Sequence, residues 1–193
     1  MAKLKRNKKK PFRAKPSLRV GSKAEQQTAI NLALNQFDKQ NYKGAEKILA
    51  DILRHNPDHG TALSIKGLCQ QEQGNIESAT TYLKKAASVL PNDPAIQYNL
   101  GVIFQKKGQH EKAMAYYQES LRLNPKNHKA LNNIGTLLHD MGETDKAIAS
   151  FKSILDIDPN VGSAHLNLGE MYRERGEFNN AIRHYTVGLK LAP

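Results

Sequence analysis

From Gln26 to the end of the chain, apolar and polar positions follow a pattern that returns every 34 residues. The stretch 94–127 shows it most clearly. Leu100, Gly101 and Phe104 share one side of a helix expected from Ala95 to Lys107. Gly108 follows, a residue that tolerates the left-handed conformation in which helices commonly end. Ala113, Tyr117 and Leu121, spaced i, i+4, i+8, predict a second helix from Glu111 to Leu123. Asn124-Pro125 stops it, because a residue before proline is pushed out of the helical region.

The repeat is visible in single residue types. Prolines stand at Pro57, Pro91, Pro125, Pro159 and Pro193, each 34 residues from the last, and only Pro11, Pro16 and Pro94 lie off the series. A small residue recurs at Ala45, Ala79, Ala113, Ala147 and Ala181. A bulky one follows four later, at Leu49, Leu83, Tyr117, Phe151 and Tyr185. Gly67, Gly101, Gly135 and Gly169 form one glycine series, and Gly74, Gly108, Gly142 and Gly176 another. The chain therefore divides into units 26–59, 60–93, 94–127, 128–161 and 162–193, each a helix-turn-helix. Glycine and alanine where helices cross allow close approach, and the bulky residues fill the space beside them. A lone helix pair cannot bury such a face, whereas a stack of at least three can.

These residues resemble the tetratricopeptide repeat (TPR), W-x2-L-G-x2-Y…A-x3-F…P. The third unit runs Gln97-x2-Leu100-Gly101-x2-Phe104…Ala113-x3-Tyr117…Pro125, and the fifth His165-x2-Leu168-Gly169-x2-Tyr172…Ala181-x3-Tyr185…Pro193. The Trp position is never Trp; it holds Ala29, Leu63, Gln97, Leu131 and His165. The first unit departs most, with Ala33 in the glycine position and Gln36 in the aromatic one. The resemblance covers 26–193 and implies an all-α fold: a right-handed α-solenoid of five stacked helix-turn-helix units, domain 24–193. TPR arrays usually finish with an extra helix. Without one, the apolar side of Ala181–Leu191 is expected to lie open, and the chain is expected to be one part of a longer protein.

At about 100° per residue, positions 4, 7, 8 and 11 of each unit cluster as the core side. Positions 2, 5, 6, 9, 12 and 13 fall opposite, on the face that lines the concave groove of a TPR-like superhelix. Position 6 reads Asn31, Ile65, Asn99, Asn133 and Asn167. An Asn amide offers both donor and acceptor, which suits the backbone of an extended peptide. The row resembles the asparagine ladder of O-GlcNAc transferases; alternatively these amides bond within or between repeats. Candidate peptide-binding residues are Asn31, Asn99, Asn133, Asn167, Tyr98, Lys129, Asn132 and Arg173. Toward the N-terminus the groove face turns apolar, with Ile30, Leu34, Phe37, Ile65 and Leu68, either a pocket for a partner side chain or a surface packed under the N-terminal segment. The carboxylate clamp of some chaperone-binding TPR domains matches only at Asn99 and Lys129. Ser64, Leu68 and Asn133 stand where its Lys, Asn and Arg are needed.

Charge and chemistry change the picture only at the N-terminus. The net charge is +11, yet residues 1–23 hold ten Lys or Arg and no acid, and the rest nineteen basic and eighteen acidic residues. The basic pI thus belongs to a tail, expected to be disordered, and not to a basic domain surface. Nucleic acid or another anionic surface would be met through that tail only, at Lys5, Arg6, Lys8, Lys9 and Lys10. No signal peptide or apolar run long enough to cross a membrane is present. The single Cys69, expected to be buried, fits a reducing compartment, cytoplasmic or, in a eukaryote, nuclear. No HExxH, GxSxG, P-loop or GxGxxG motif occurs, and no catalytic residue, metal site or cofactor is expected. The expected partner is a protein or peptide, with oligomeric state left open by the sequence. The alternative is a substrate-recruiting arm of a larger glycosyltransferase, O-GlcNAc-transferase-like, or of a sulfotransferase. A third reading is an adaptor that meets nucleic acid through the tail.

Overall fold

The computed structural model describes residues 20–191. The tail residues Lys5, Arg6, Lys8, Lys9 and Lys10 lie outside that range, as does Pro193. Within it the chain forms ten helices: α1 (Lys23–Asp38), α2 (Tyr42–His55), α3 (Gly60–Glu72), α4 (Ile76–Val89), α5 (Pro94–Lys106), α6 (His110–Leu123), α7 (His128–Asp140), α8 (Thr144–Ile157), α9 (Gly162–Glu174) and α10 (Phe178–Leu191). Odd helices are the first of each unit and even helices the second. Neighbours in sequence pack on one another, giving the right-handed solenoid. The described residues include the last part of the segment read as tail, where Val20 is buried at 1% exposure and Ser22 caps α1 in a reciprocal capping box with Glu25.

The turns recur as closely as the helices. Each first helix ends in a residue of positive φ: Gly74 (80°), Gly108 (68°), Gly142 (77°) and Gly176 (73°). The next amide then bonds back five residues, as from Gln109 N–H to the Phe104 carbonyl at 2.9 Å, the closing bond of a Schellman motif. In the first unit this place is taken by Gln40, at φ 57°. A side chain there meets a conformational cost that glycine escapes.

Inside each unit the glycine of the first helix receives the bulky residue of the second. A Cβ built on Gly101 would lie 2.4 Å from Cε1 of Tyr117. On Gly135 it would lie 2.6 Å from the Phe151 ring, on Gly169 2.7 Å from the Tyr185 ring, and on Gly67 2.7 Å from Leu83. At Gly101 and Gly135 no side chain fits without moving a ring that is itself enclosed, since Tyr117 and Phe151 are almost completely buried.

Between units a second buried face appears that a single core side does not account for. Positions 3 and 10 of the first helices hold Ala62 and Cys69, Ile96 and Ile103, Ala130 and Leu137, Ala164 and Met171, all buried. They pack on the preceding unit. Cys69 is thus a packing residue, and burial pushes its thiol pKa up to about 12. Where Trp is missing, polar side chains tie the units together instead. The buried Gln97 amide donates to the Pro91 carbonyl at 3.0 Å, and His165 Nε2 lies 3.1 Å from the Pro159 carbonyl. Both reach back six residues to the proline of the interunit turn. Exposed ion pairs repeat as well: Lys107–Glu77 at 2.7 Å and Arg175–Asp145 at 2.6 Å each join the end of a first helix to the second helix of the unit before, and the two pairs are equivalent, two units apart.

His165 carries a further constraint. Its Nδ1 is 3.0 Å from Nδ1 of His184 on α10. If Nε2 of His165 donates to Pro159, Nδ1 must accept, and His184 must supply the proton. One proton therefore lies between the two Nδ1 atoms, carried by His184. Burial, then His165, Arg183 and Lys152, hold the His184 pKa below its ordinary 6.5.

Three outcomes test this account. Gly101→Ala should destabilise the array by about 1–3 kcal/mol in denaturant titrations, with helical content kept at low denaturant. Gln40→Gly should raise stability by up to about 1 kcal/mol; a fall would mean that the Gln40 side chain, not its backbone, matters there. For His184, a folded pKa below the unfolded one leaves stability complete above pH 6.5 and lost as pH falls below it. The urea midpoint should drop between pH 7.5 and pH 5.5 in the wild type, and His184→Gln should shrink that drop.

Candidate functional site

The first helices line the concave side, and α5, α7 and the start of α9 enclose a pocket of about 460 Å³. Tyr98, His128, Lys129, Asn132, Asn133 and Ser163 supply its polar lining, with Ile154 and Val161 below. Four of the eight candidate residues, Tyr98, Lys129, Asn132 and Asn133, therefore meet in one place. Helix periodicity explains the meeting: Lys129, Asn132 and Asn133 are neighbours on α7, and Tyr98 sits one unit back at the position equivalent to Asn132. Two other concavities, of about 500 and 520 Å³, lie over the turns at 142–146 and 89–94. The first is bridged by the Arg175–Asp145 ion pair, and neither gathers the candidate groove residues.

Hydrogen bonds hold the pocket amides in place. The Asn133 amide donates to the Tyr117 hydroxyl at 3.1 Å and, more weakly, to that of Tyr98 at 3.4 Å. Tyr117 in turn donates to Gln105 at 2.6 Å. The Asn167 amide donates to the Asn132 carbonyl oxygen at 2.8 Å. What faces the groove is therefore a complementary set: the Asn133 carbonyl oxygen as acceptor, and the Tyr98 hydroxyl and Asn132 amide as donors. Burial raises the pKa of both phenols, that of Tyr117 to about 12, against a lowering contribution from Asn133. Both rings stay neutral and keep their protons. Lys129 makes no ion pair among the described residues and is exposed at the pocket rim.

The asparagine row is not uniform. Asn133 and Asn167 each commit their amide N–H to a neighbouring unit, the between-repeat bonding that the sequence left open. Asn31 is exposed and accepts from Gln27 within α1 at 3.1 Å. Asn99 is half-buried and makes no side-chain hydrogen bond among the described residues. Ile65, the break in the row, is 4% exposed and belongs to the N-terminal core cluster. The apolar mouth divides too. Ile30 and Ile65 are buried in that cluster with Val20, so the N-terminal segment packs there, while Leu34 stays 40% exposed.

Arg173 lies away from the pocket. Its guanidinium grips both oxygens of Glu170, whose carboxylate also accepts from the Tyr185 hydroxyl at 2.5 Å. Arg173 first and Tyr185 second hold the Glu170 pKa down to about 2. Beside it, His139 bonds Glu174 across to α9 at 2.8 Å. Sequence reading missed the phenol of Tyr117, which serves the groove from the core. Its signal is that units three and five place Tyr, and not Phe, in the bulky position. Among the described residues no group of three or more His, Cys, Asp or Glu could hold a metal ion, and no helix is long and apolar enough to cross a membrane.

Family models described as tetratricopeptide repeat match residues 36–103, 94–127 and 128–193. The chain is a tetratricopeptide-repeat protein. A TPR array of this kind is a protein-interaction scaffold. Among solved structures, this TPR chain is similar in fold to a crystal structure of MamA, at 23% identity and TM-score 0.72, covering 82% of this chain and 93% of that one. It is similar also to MamA 41-end from Desulfovibrio magneticus RS-1, at 21% identity and TM-score 0.75, covering 90% and 97%. PilF of Pseudomonas aeruginosa aligns at 19% identity and TM-score 0.81, covering 86% and 76%. No curated protein matches the sequence.

Proposed function

We propose that this TPR protein holds an extended peptide segment in its concave groove, with the pocket between α5, α7 and α9 as the central contact. The observation that carries the reading is the convergence of Tyr98, Lys129, Asn132 and Asn133 on one pocket. Its free acceptor, its two free donors and the absence of any lining carboxylate suit a peptide backbone. Preorganisation supports the same reading. The amides are already fixed by Tyr117 and by Asn167, so little side-chain freedom is lost when a ligand binds. Lys129 adds one positive charge, which favours a ligand carboxylate nearby. The basic tail, with Lys5, Arg6, Lys8, Lys9 and Lys10, is a separate place for an anionic partner.

A displayed library of unstructured peptides supplies a probe for this site. Peptides selected on the wild type should lose about tenfold in affinity with Asn132→Ala or Tyr98→Phe, each removing one or two hydrogen bonds. Loss should be near complete with Asn99, Asn133 and Asn167 all changed to Ala, while circular dichroism stays unchanged. Peptides that bind the triple variant as tightly as the wild type would move the site elsewhere.

A further inference from the structure

One asparagine of the groove row is pinned and its neighbour is not. Asn133 commits both amide hydrogens, one to the Tyr117 hydroxyl at 3.1 Å and one to the Tyr98 hydroxyl at 3.4 Å. Asn99, at the same position one unit back, makes no side-chain hydrogen bond among the described residues. The difference lies in the second helix of the preceding unit. Tyr117 stands sixteen residues before Asn133. The residue sixteen before Asn99 is Leu83, and sixteen before Asn167 is Phe151. Neither has a hydroxyl, and Asn167 turns to Asn132 instead.

Gln105 decides which way Asn133 faces. Tyr117 gives its one hydroxyl proton to Gln105 Oε1 at 2.6 Å, so toward Asn133 it acts only as an acceptor. The Tyr98 and Tyr117 rings lie 5.8 Å apart, which brings both hydroxyls to one amide. Turning Asn133 over would set its carbonyl oxygen against a hydroxyl with no proton to offer. The Tyr117 ring is almost completely buried and holds its place. We infer that Tyr117 is a positioning residue of the groove, which keeps the Asn133 carbonyl oxygen toward the ligand so that the pocket demands a backbone N–H there. This rests on the peptide-groove reading above and adds a rule to it. A ligand residue without an N–H, whether proline or an ester link, is rejected at Asn133. Asn132, whose oxygen is taken by Asn167, asks for a carbonyl, which every residue has. Asn99 is free to turn either way and imposes no rule.

Backbone esters placed one at a time along a peptide selected on the wild type test the rule, because each replaces an N–H by an oxygen. In the wild type one ester position should cost about tenfold or more in affinity, through a lost hydrogen bond and an oxygen set against that of Asn133. With Tyr117→Phe the cost at that position should shrink to about threefold or less. Phe151 fills the equivalent place over Gly135, so the array accommodates phenylalanine there, and circular dichroism and the urea midpoint check the fold. Gln105→Glu, which still accepts the Tyr117 proton, should keep the full cost. A cost that survives Tyr117→Phe, with amide and ester peptides weakened equally, overturns the inference and leaves Tyr117 a packing residue. So does a cost lost with Gln105→Glu, or a peptide sensitive to Asn132→Ala that tolerates an ester at every position. Each of these overturns the inference alone. Selected peptides all indifferent to Asn132→Ala overturn the groove reading, and this inference with it.

Discussion

A glycine on one helix beneath a ring on the next is the contact from which the architecture follows. At Gly101 the Tyr117 ring occupies the volume a methyl group would need, so the two helices of that unit lie closer than ordinary side chains permit. Close pairs of nearly equal length stack by translation, first helix on first helix. The first helices then form a continuous inner wall while the second helices stay outside. The first unit shows how far this can be relaxed. Ala33 replaces the glycine there, and the bulky partner is Leu49, buried at 0% exposure: the larger small residue is paired with an aliphatic side chain in place of a ring.

Tyr117 links that packing constraint to the groove. Its ring fills the space over Gly101, while its hydroxyl bonds Gln105 on α5 and Asn133 on α7. One side chain therefore sets the helix separation and orients a groove amide in the following unit. Phe151, its equivalent one unit on, has no hydroxyl, and Asn167 finds Asn132 instead. Tyr185 spends its hydroxyl on Glu170, the carboxylate that also holds Arg173. The three rings each lie over a glycine of the first helix and differ in what they bond.

How much of this was legible in the sequence follows from what each residue depends on. The 34-residue proline and glycine series depends on backbone geometry within one unit, and it placed the helices to within a residue at α5 and α6. The burial of Ile96, Ile103, Leu137 and Met171 depends on the neighbouring unit, and a one-sided helix pattern does not display it. The asparagine row was visible as a row. That two of its members bond across units depends on Tyr117 and Asn132, which sit at other positions of the repeat. Ile30 and Ile65 shared the groove side by periodicity, yet Val20, arriving from outside the repeat, encloses them. Local chemistry was readable, and contacts set by the next unit or by the flanking segment were not.

A translational stack satisfies every interior face with a copy of the same face, so only its ends are free to differ. Here they differ in kind. The first end closes with polar Thr28 and Asn35 on α1, beneath which Val20 seals the core. The last end carries Phe178, Ile182 and Leu189 outward on α10, a helix held to α9 partly through the His165–His184 pair. In such arrays each unit draws its stability from its neighbours, and among the described residues the fifth unit packs on the fourth alone. Anything that covers α10 stabilises the fifth unit together with the Glu170–Arg173–Tyr185 cluster behind it. The groove wall on α9 is part of that same unit. Occupancy of the outer face of α10 and rigidity of the C-terminal half of the groove are therefore coupled by the fold itself, through helices that share one core cluster.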